Sequence, residues 1–209
     1  MSPAQPSTAK GAATRARLLE VAAVGFAEKG YSATKFSELI TASGLTKGAF
    51  YFYFPSKAAL AAAVIADQER RWVEQVECRV LAHPTPTEQL ADLLPAMLDL
   101  LEHEPGAWSV VRLANELGAD DELEDVTQPT EAWVELLTGI IRAGQQTREF
   151  RAELDAEGLA TVLVGAFHGI KGLVDVGTPA DRGPQLARHA DILADLAFAG
   201  LGILHHPTP

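Results

Sequence analysis

Residues 46–54, with the sequence TKGAFYFYF, bring together small side chains, one lysine and five aromatic rings. Helical spacing predicts that Leu45, Ala49 and Phe50 face a protein core and that Phe54 closes that core below. Tyr51 and Tyr53 then lie near the opposite side, where their hydroxyl groups can donate hydrogen bonds to phosphates. Lys47 can bind either a guanine base or a phosphate. The segment therefore indicates a surface that binds phosphate groups.

Common enzymatic motifs are absent from the sequence. All four Lys-Gly pairs run in the wrong order for a phosphate-binding loop, which needs glycine before lysine. The patterns G-x-S-x-G, H-E-x-x-H and G-x-G-x-x-G do not occur. The acidic run at residues 120–125 has no central glycine for a calcium loop, and a single cysteine, Cys78, excludes multi-cysteine zinc sites. We therefore predict no enzymatic activity, no metal site and no cofactor.

The charge of the chain is distributed unevenly. Residues 1–57 carry seven basic and three acidic side chains, a net charge of +4, whereas residues 58–209 carry ten basic and 25 acidic side chains, a net charge of −15. Binding to a polyanion needs clustered lysine and arginine. The asymmetry predicts two domains, residues 1–57 facing a polyanion and residues 58–209 with a separate task.

Three tryptophans and one histidine in the acidic part of the chain could form a ligand site. Trp72, Trp108 and Trp133 lie on three different predicted helices, and each has a large ring with one N–H donor. Together they could line an apolar cavity for a small molecule, with His168 adding a hydrogen bond. Trp133 and His168 also have a purely structural interpretation, as packed core and as a core histidine with satisfied hydrogen bonds.

The elements that must position these residues are helices. Apolar residues recur at spacings of three and four with no long alternating run, which predicts an all-α chain of about nine helices. Two short helices at residues 35–42 and 46–52 are joined by a turn containing Gly44, as in a helix-turn-helix. The other helices are predicted at about residues 11–28, 57–81, 86–102, 105–117, 130–147, 155–176 and 184–204. Residues 119–128 are predicted as a loop and residues 205–209 as a frayed tail.

One predicted helix, residues 155–176, carries three glycines, Gly165, Gly169 and Gly172, on one face. Each glycine in a helix interior costs on the order of 1 kcal/mol relative to alanine, so three on one face indicate close contact with another helix. That helix belongs either to the same subunit or to a second copy of the chain.

Three groups of residues resemble the TetR-type bacterial transcriptional regulators. They are Gly30-Tyr31-Ser32-Ala33-Thr34, then Ser43-Gly44-Leu45-Thr46-Lys47-Gly48, and finally Tyr51, Phe54, Ser56-Lys57 and Leu60. The match covers residues 14–60, although the family commonly has histidine where this chain has Tyr53. Within the family, residues 46–57 (TKGAFYFYFPSK) and the placement of Trp133 after Pro129 are most similar to the γ-butyrolactone-type autoregulator receptors of actinomycetes.

The resemblance implies an all-helical homodimer whose first three helices, with the start of the fourth, bind operator DNA. By position, the resemblance assigns phosphate contacts to Thr34, Tyr51, Tyr53 and Lys57. It assigns contacts with base edges or the groove floor to Thr46, Lys47, Gly48 and Ala49. Gly48 has an independent physical reason, because a residue without Cβ lets the backbone approach DNA closely. We expect Lys35, a further basic residue of this domain, to join the contacts. The helices predicted at residues 155–176 and 184–204 resemble the pair that forms the family's dimer interface.

We therefore expect a ligand-responsive repressor that binds an inverted-repeat operator as a dimer and is released by a small apolar or amphipathic effector. The alternative is a helical small-molecule-binding protein without DNA-binding activity, which the basic first domain disfavours. Residues 1–10 lack the apolar segment of a secretion signal, and the apolar stretch 159–176 is interrupted by His168, Lys171 and Asp175. A cytoplasmic protein without a membrane span is expected.

Overall fold

The computed structural model describes residues 9–104, 107–118 and 130–202. Within these ranges the chain forms nine helices and no strand, which confirms the predicted all-α fold. The helices are α1 (Ala9–Ala33), α2 (Phe36–Ser43), α3 (Lys47–Tyr53), α4 (Lys57–Val80), α5 (Pro86–His103), α6 (Ala107–Gly118), α7 (Thr130–Thr147), α8 (Ala156–Asp175) and α9 (Pro179–Leu201). The predicted loop at residues 119–128 and the predicted tail at residues 205–209 lie outside the described residues.

The described residues divide into two compact units. The first comprises residues 9–69 and 108–118, and the second comprises residues 70–104, 107 and 130–202. Phe26, Phe50 and Phe54 lie in the apolar core of the first unit, together with Leu113 and Leu117 of α6. The predicted boundary at residue 57 did not include α6 in this unit. Apolar periodicity shows which face of a helix is buried, but it does not show which partner covers that face.

A kink at Gly30 shapes the end of α1. Its φ of 76° and ψ of 172° are non-helical, in a region of backbone space that is open almost only to glycine. The hydroxyl of Thr34 is a hydrogen-bond donor to the carbonyl oxygens of Gly30, at 2.6 Å, and Gly25, at 3.2 Å. The helix predicted for residues 11–28 therefore ends at Gly30, and a second short helical stretch continues α1 to Ala33.

In the second unit α8 packs against both α7 and α9, and α5 packs on α7 and α9. α5 begins with the capping box that its sequence predicts, because Thr85 and Glu88 each accept a hydrogen bond from the other's backbone N–H. Among the described helices, α8 by itself has the length and hydropathy of a membrane span, and α3 with α4 would pass as one span bent by 54°. Only part of α8 is buried against its two neighbours, and apolar side chains such as Val162 and Leu173 are exposed.

The boundaries predicted for the last helix are wrong. α9 begins at Pro179 and ends at Leu201, whereas the sequence predicted residues 184–204. Both Pro179 and Pro184 suit a first helical turn, but Thr178 starts the helix, and its hydroxyl donates to Asp181 Oδ2 at 2.5 Å. The helix stops where Gly202 adopts a left-handed conformation with φ 83°.

Candidate functional site

The short helix α3 presents a continuous exposed surface in the first unit. Thr46, Lys47, Gly48 and Ala49 are all exposed, while Phe50 is buried in the core as predicted. The inward orientation predicted for Ala49 from helical spacing is therefore wrong. The Thr46 side chain also caps the helix, since its hydroxyl oxygen accepts a hydrogen bond from the Ala49 N–H at 3.3 Å. A Cβ atom added at Gly48 would meet nothing within 4 Å, so the space above this glycine is open to a large partner.

The turn before α3 fixes the direction of this surface. Gly44 ends α2 in a left-handed conformation with φ 71°, which glycine adopts without strain. The Ser43 hydroxyl donates to the Ile40 carbonyl at 2.7 Å and accepts from the Leu45 N–H at 3.2 Å. The turn therefore satisfies its backbone groups locally, as the glycine-containing connection of a helix-turn-helix requires.

Aromatic side chains extend the exposed surface at the end of α3. Tyr51 is 42% exposed, its ring meets Phe36 edge-on at 5.4 Å, and the Lys47 ammonium lies 5.9 Å from the centre of the same ring. Tyr53 packs partly against the core, whereas Phe52 is 63% exposed. Sequence analysis gave Phe52 no role. Its position four residues after Gly48, on the same helical face, is the signal that could have identified it.

Two predicted phosphate contacts have their polar groups engaged inside the protein. Thr34 is only 2% exposed and its hydroxyl is bonded to the α1 carbonyls, so the expected contact of this side chain with a phosphate is corrected. Lys57 Nζ donates to the carbonyl oxygens of Tyr31, at 2.9 Å, and Thr34, at 3.1 Å, and lies 4.1 Å from the centre of the Tyr31 ring. A phosphate contact by Lys57 stays a prediction, and the structure gives this residue an additional role in closing the end of α1.

Two carboxylates of the first unit form hydrogen bonds, one with a lysine side chain and one with a backbone N–H. Glu38 pairs with Lys29 at 2.6 Å, and this hydrogen bond lowers the pKa of Glu38 and raises the pKa of Lys29. Glu116 of α6 accepts a hydrogen bond from the Tyr31 N–H at 2.9 Å, a role that the sequence did not reveal. With Lys29 paired, Lys35 and Lys47 are exposed cations beside or on the helix-turn-helix. Their binding to DNA stays a prediction.

An apolar cavity of about 50 Å³ lies within the second unit, between α5, α7, α8 and α9. The sequence grouped Trp72 of α4 and Trp108 of α6 with Trp133, but among the described residues neither α4 nor α6 contributes to the lining. The described lining consists of Leu90, Ala91, Leu93, Leu94, Met97, Trp133, Leu137, Leu163, Val164, Phe167, His168, Leu193, Ala194, Ala197 and Phe198. Trp133 and His168 thus come together. Trp72 is buried but does not line this cavity, and Trp108 belongs to the first unit.

His168 is the polar exception in this cavity. Its Nε2 atom is buried and has no hydrogen-bond partner among the described residues, a situation that typically costs about 1–3 kcal/mol. Burial, with a smaller contribution from the positive charge of Lys171, lowers the pKa of His168 to about 3. The imidazole is therefore neutral at physiological pH.

A second, wider groove lies between α4 and α7. Its volume is about 530 Å³, and carboxylates at its rim, Glu74, Glu77 and Glu135, surround an apolar floor. Arg70 also lines the groove and pairs with Glu74 at 3.0 Å. The cavity next to His168 is smaller but more apolar, and it contains two of the four residues that sequence analysis assigned to ligand binding. It is the better ligand candidate.

Helices α8 and α9 carry an exposed apolar face. Leu173 is 78% exposed and Val176 is 88% exposed, and Val162, Ile192 and Leu196 are also exposed. Gly165 and Gly169 have open space above them, and Gly172 is partly exposed. Gly165 and Gly169 therefore have no other described helix packed against them. Exposed apolar faces of this kind mark protein–protein interaction sites.

Comparison with known proteins identifies the same part of the chain. Residues 18–64 match the family described as bacterial regulatory proteins, tetR family. The A-factor receptor protein of Streptomyces griseus is 26% identical over 203 residues, 96% of this chain and 69% of that protein. The HTH-type transcriptional repressor BepR of Brucella suis is 27% identical over 184 residues, 78% of this chain and 85% of that protein.

A solved structure extends the similarity over both units. The TetR regulator TylP of Streptomyces fradiae is 31% identical, with a TM-score of 0.65, over 88% of this chain and 86% of that chain. This similarity, together with the helix-turn-helix residues and the all-α fold, confirms the resemblance found in the sequence. The chain belongs to the TetR family of transcriptional regulators.

Proposed function

We propose that this chain is a cytoplasmic repressor that binds an inverted-repeat operator as a homodimer and leaves it when a small apolar ligand enters the cavity. The observation that carries the proposal is the surface of α3, where Thr46, Lys47, Gly48, Ala49 and Tyr51 are all exposed. A helix of seven residues is about 10 Å long, which suits end-on entry into a major groove about 12 Å wide. The repressor role is supported by similarity to a protein named as a repressor.

The exposed face of α8 and α9 supports the homodimer. A two-fold axis would bring two copies of Leu173 and Val176 together and remove them from water. It would also present two α3 helices, which read successive major grooves when they are about 34–36 Å apart. The expected operator is therefore an inverted repeat with half-sites one helical turn apart.

The size of the cavity supports coupling between ligand and dimer. A volume of about 50 Å³ is far below the roughly 300–1,000 Å³ of ordinary ligand sites, so a ligand must move lining side chains or helices. Two of the lining helices, α8 and α9, also carry the exposed face. Entry of a ligand would therefore disturb the surface on which the dimer depends. A ligand that prefers the released state about 100-fold supplies roughly 2.7 kcal/mol toward release.

The test is binding of the full-length protein to DNA from upstream of its own gene, followed by footprinting. We expect sequence-specific retention over competitor DNA and two protected half-sites with two-fold symmetry. Lys47→Ala should weaken binding, whereas Lys29→Ala, which removes a lysine already paired with Glu38, is the matched control. Absence of specific binding to any upstream fragment, by a folded dimer, would favour a ligand-binding protein without DNA-binding activity.

A further inference from the structure

We propose that the cavity selects an uncharged, largely apolar ligand whose single hydroxyl or carbonyl group forms a hydrogen bond with His168 Nε2. The inference rests on the proposed function, because it names the class of molecule that the cavity takes. It makes His168 the residue that determines specificity, and it excludes carboxylates and cations from the site.

The residues that line the cavity favour an uncharged ligand. Among its described residues, Trp133 and His168 alone have side-chain nitrogen atoms, and none has an ionised side chain at neutral pH. An ion that entered would lose its hydration without gaining an opposite charge, which is strongly unfavourable. An alkyl chain, in contrast, would be surrounded by leucine, phenylalanine and methionine. Met97 is flexible and can move as the cavity widens.

The buried Nε2 atom of His168 favours a ligand with a neutral polar group. A histidine that serves only structure would be expected to use its ring nitrogens, yet His168 Nε2 is buried without a partner. A leucine at this position would fill the same space without that penalty. A neutral imidazole nitrogen accepts from a hydroxyl in one tautomer and donates to a carbonyl in the other. The missing partner is therefore a neutral polar group on a ligand.

The position of Lys171 is consistent with this selectivity. The Lys171 side chain is buried on the same helix, with its ammonium 5.5 Å from the Phe167 ring, and it is not among the residues that line the cavity. Its positive charge favours the neutral form of His168. The charge is also the one feature near the site that could attract an anion, so the experiment includes it.

Binding is measured on the purified full-length protein without DNA, at pH 7.5. Trp72→Phe and Trp108→Phe together leave Trp133 as the only tryptophan, so changes in its fluorescence report on the cavity wall. The probes share a chain of eight carbons: octan-1-ol, octan-2-one, octanoate, and 1-chlorooctane as the compound without a strong hydrogen-bonding group. They are compared on this background and on the same background with His168→Leu, His168→Gln or Lys171→Met.

We expect octan-1-ol or octan-2-one to bind about tenfold more tightly than 1-chlorooctane, and octanoate to bind weakest. His168→Leu should abolish the tenfold preference while it keeps binding of 1-chlorooctane, and His168→Gln should restore it. Which of the two oxygen compounds binds better identifies the tautomer of His168. His168→Leu should be at least as stable to thermal unfolding as its parent, since it removes an unpaired buried atom.

Several outcomes would overturn the proposal. It fails if octanoate binds as tightly as octan-1-ol, and loss of that binding in Lys171→Met would assign the polar end of the ligand to Lys171. It also fails if His168→Leu keeps the full preference, or if no probe changes Trp133 fluorescence up to its solubility limit. The proposed function fails separately: selective binding of the neutral probes by a protein that does not bind or leave its operator would retain this inference and remove the regulatory role.

Discussion

The two units of the molecule use their residues in different ways. In the first unit, the proposed DNA binding depends on the identity of single exposed side chains, because the polar groups of Thr46, Lys47 and Tyr51 would have to meet fixed atoms of a DNA duplex. In the second unit, apart from Trp133 and His168, the cavity wall is built from apolar side chains without nitrogen or oxygen atoms, and the exposed face of α8 and α9 is a pattern of apolar positions. A surface that recognises a polyanion therefore constrains residue types, whereas one that buries apolar groups constrains only their spacing.

The largest expected effect tests whether DNA binding by the first unit depends on the second unit. Leu173→Asp places a charge on the exposed face of α8 and should convert the dimer to a monomer. Because two linked half-site contacts become one, we expect operator affinity to fall by about 100-fold or more, although the recognition helix is unaltered. Sedimentation gives the oligomeric state and fluorescence anisotropy gives the affinity. Leu81→Asp, at another exposed leucine of the same unit, is the control. A dimeric Leu173→Asp protein would place the interface elsewhere.

The next largest effect concerns the pH dependence of stability, which should be dominated by the cavity. His168 has a pKa of about 3 when folded and an ordinary value near 6.5, so below pH 6.5 the unfolded chain binds a proton that the folded chain does not. Stability should therefore decrease by about 1.4 kcal/mol for each unit that the pH falls below 6.5, until it approaches 3. His168→Leu should lack this component. Denaturant unfolding between pH 7 and pH 5 measures it, and equal pH slopes in the two proteins would contradict it.

A smaller effect is expected in the first unit, where one substitution should raise the free energy of unfolding and lower the affinity for the operator. Gly48→Ala should raise the free energy of unfolding by up to about 1 kcal/mol, since alanine is the better helix residue and nothing obstructs its methyl group. The same methyl group would stand between the backbone and DNA, so operator affinity should fall about tenfold. Gly139→Ala, in α7 and equally unobstructed, should give the stability gain alone. Unchanged operator affinity in Gly48→Ala would move the close approach to another part of α3.

The smallest expected effects distinguish two lysines of the same unit. Lys47→Met should leave stability unchanged and reduce the slope of log affinity against log salt by about 0.9, as for loss of one phosphate contact. Lys57→Met should lower the free energy of unfolding by about 1 kcal/mol or more, because the Tyr31 and Thr34 carbonyls lose a charged donor. If Lys57 also contacts a phosphate, its variant lowers the salt slope too. Wild-type stability in Lys57→Met would show that these hydrogen bonds contribute little.

The same difference between the two units determines for which residues the sequence could predict exposure and orientation. The exposure of residues 46–48 could be predicted, since a glycine-containing turn and helical spacing indicate which side of a short helix faces outward, but the same spacing wrongly directed Ala49 inward. The inward orientation of Thr34 and Lys57 could not, because their acceptors are backbone carbonyls that become available only where Gly30 kinks the chain. The exposure of Phe52 was not predicted, because apolar residues are assumed to be buried.

The sequence predicted an apolar cavity, but it did not predict which helices enclose that cavity. Trp133 and His168 were correctly grouped by size and hydrogen-bonding capacity, but Trp72 and Trp108 satisfy the same criteria and lie elsewhere. Periodicity assigns each helix an apolar face without naming the helix that covers it. The pairing of α5 with α9, which encloses the cavity, depends on contacts between residues about 100 positions apart and leaves no local signal.

The contribution of α6 to the first unit has a consequence for protein engineering. Regulators are often recombined by joining the amino-terminal residues of one protein to the remainder of another at a single junction. A junction at residue 57 would separate Phe50 and Phe54 from Leu113 and Leu117, and the Tyr31 N–H from Glu116. Among the described residues the transplantable module is therefore discontinuous: it consists of residues 9–69 and 108–118, and a hybrid that keeps the recipient's α6 inherits a mismatched core.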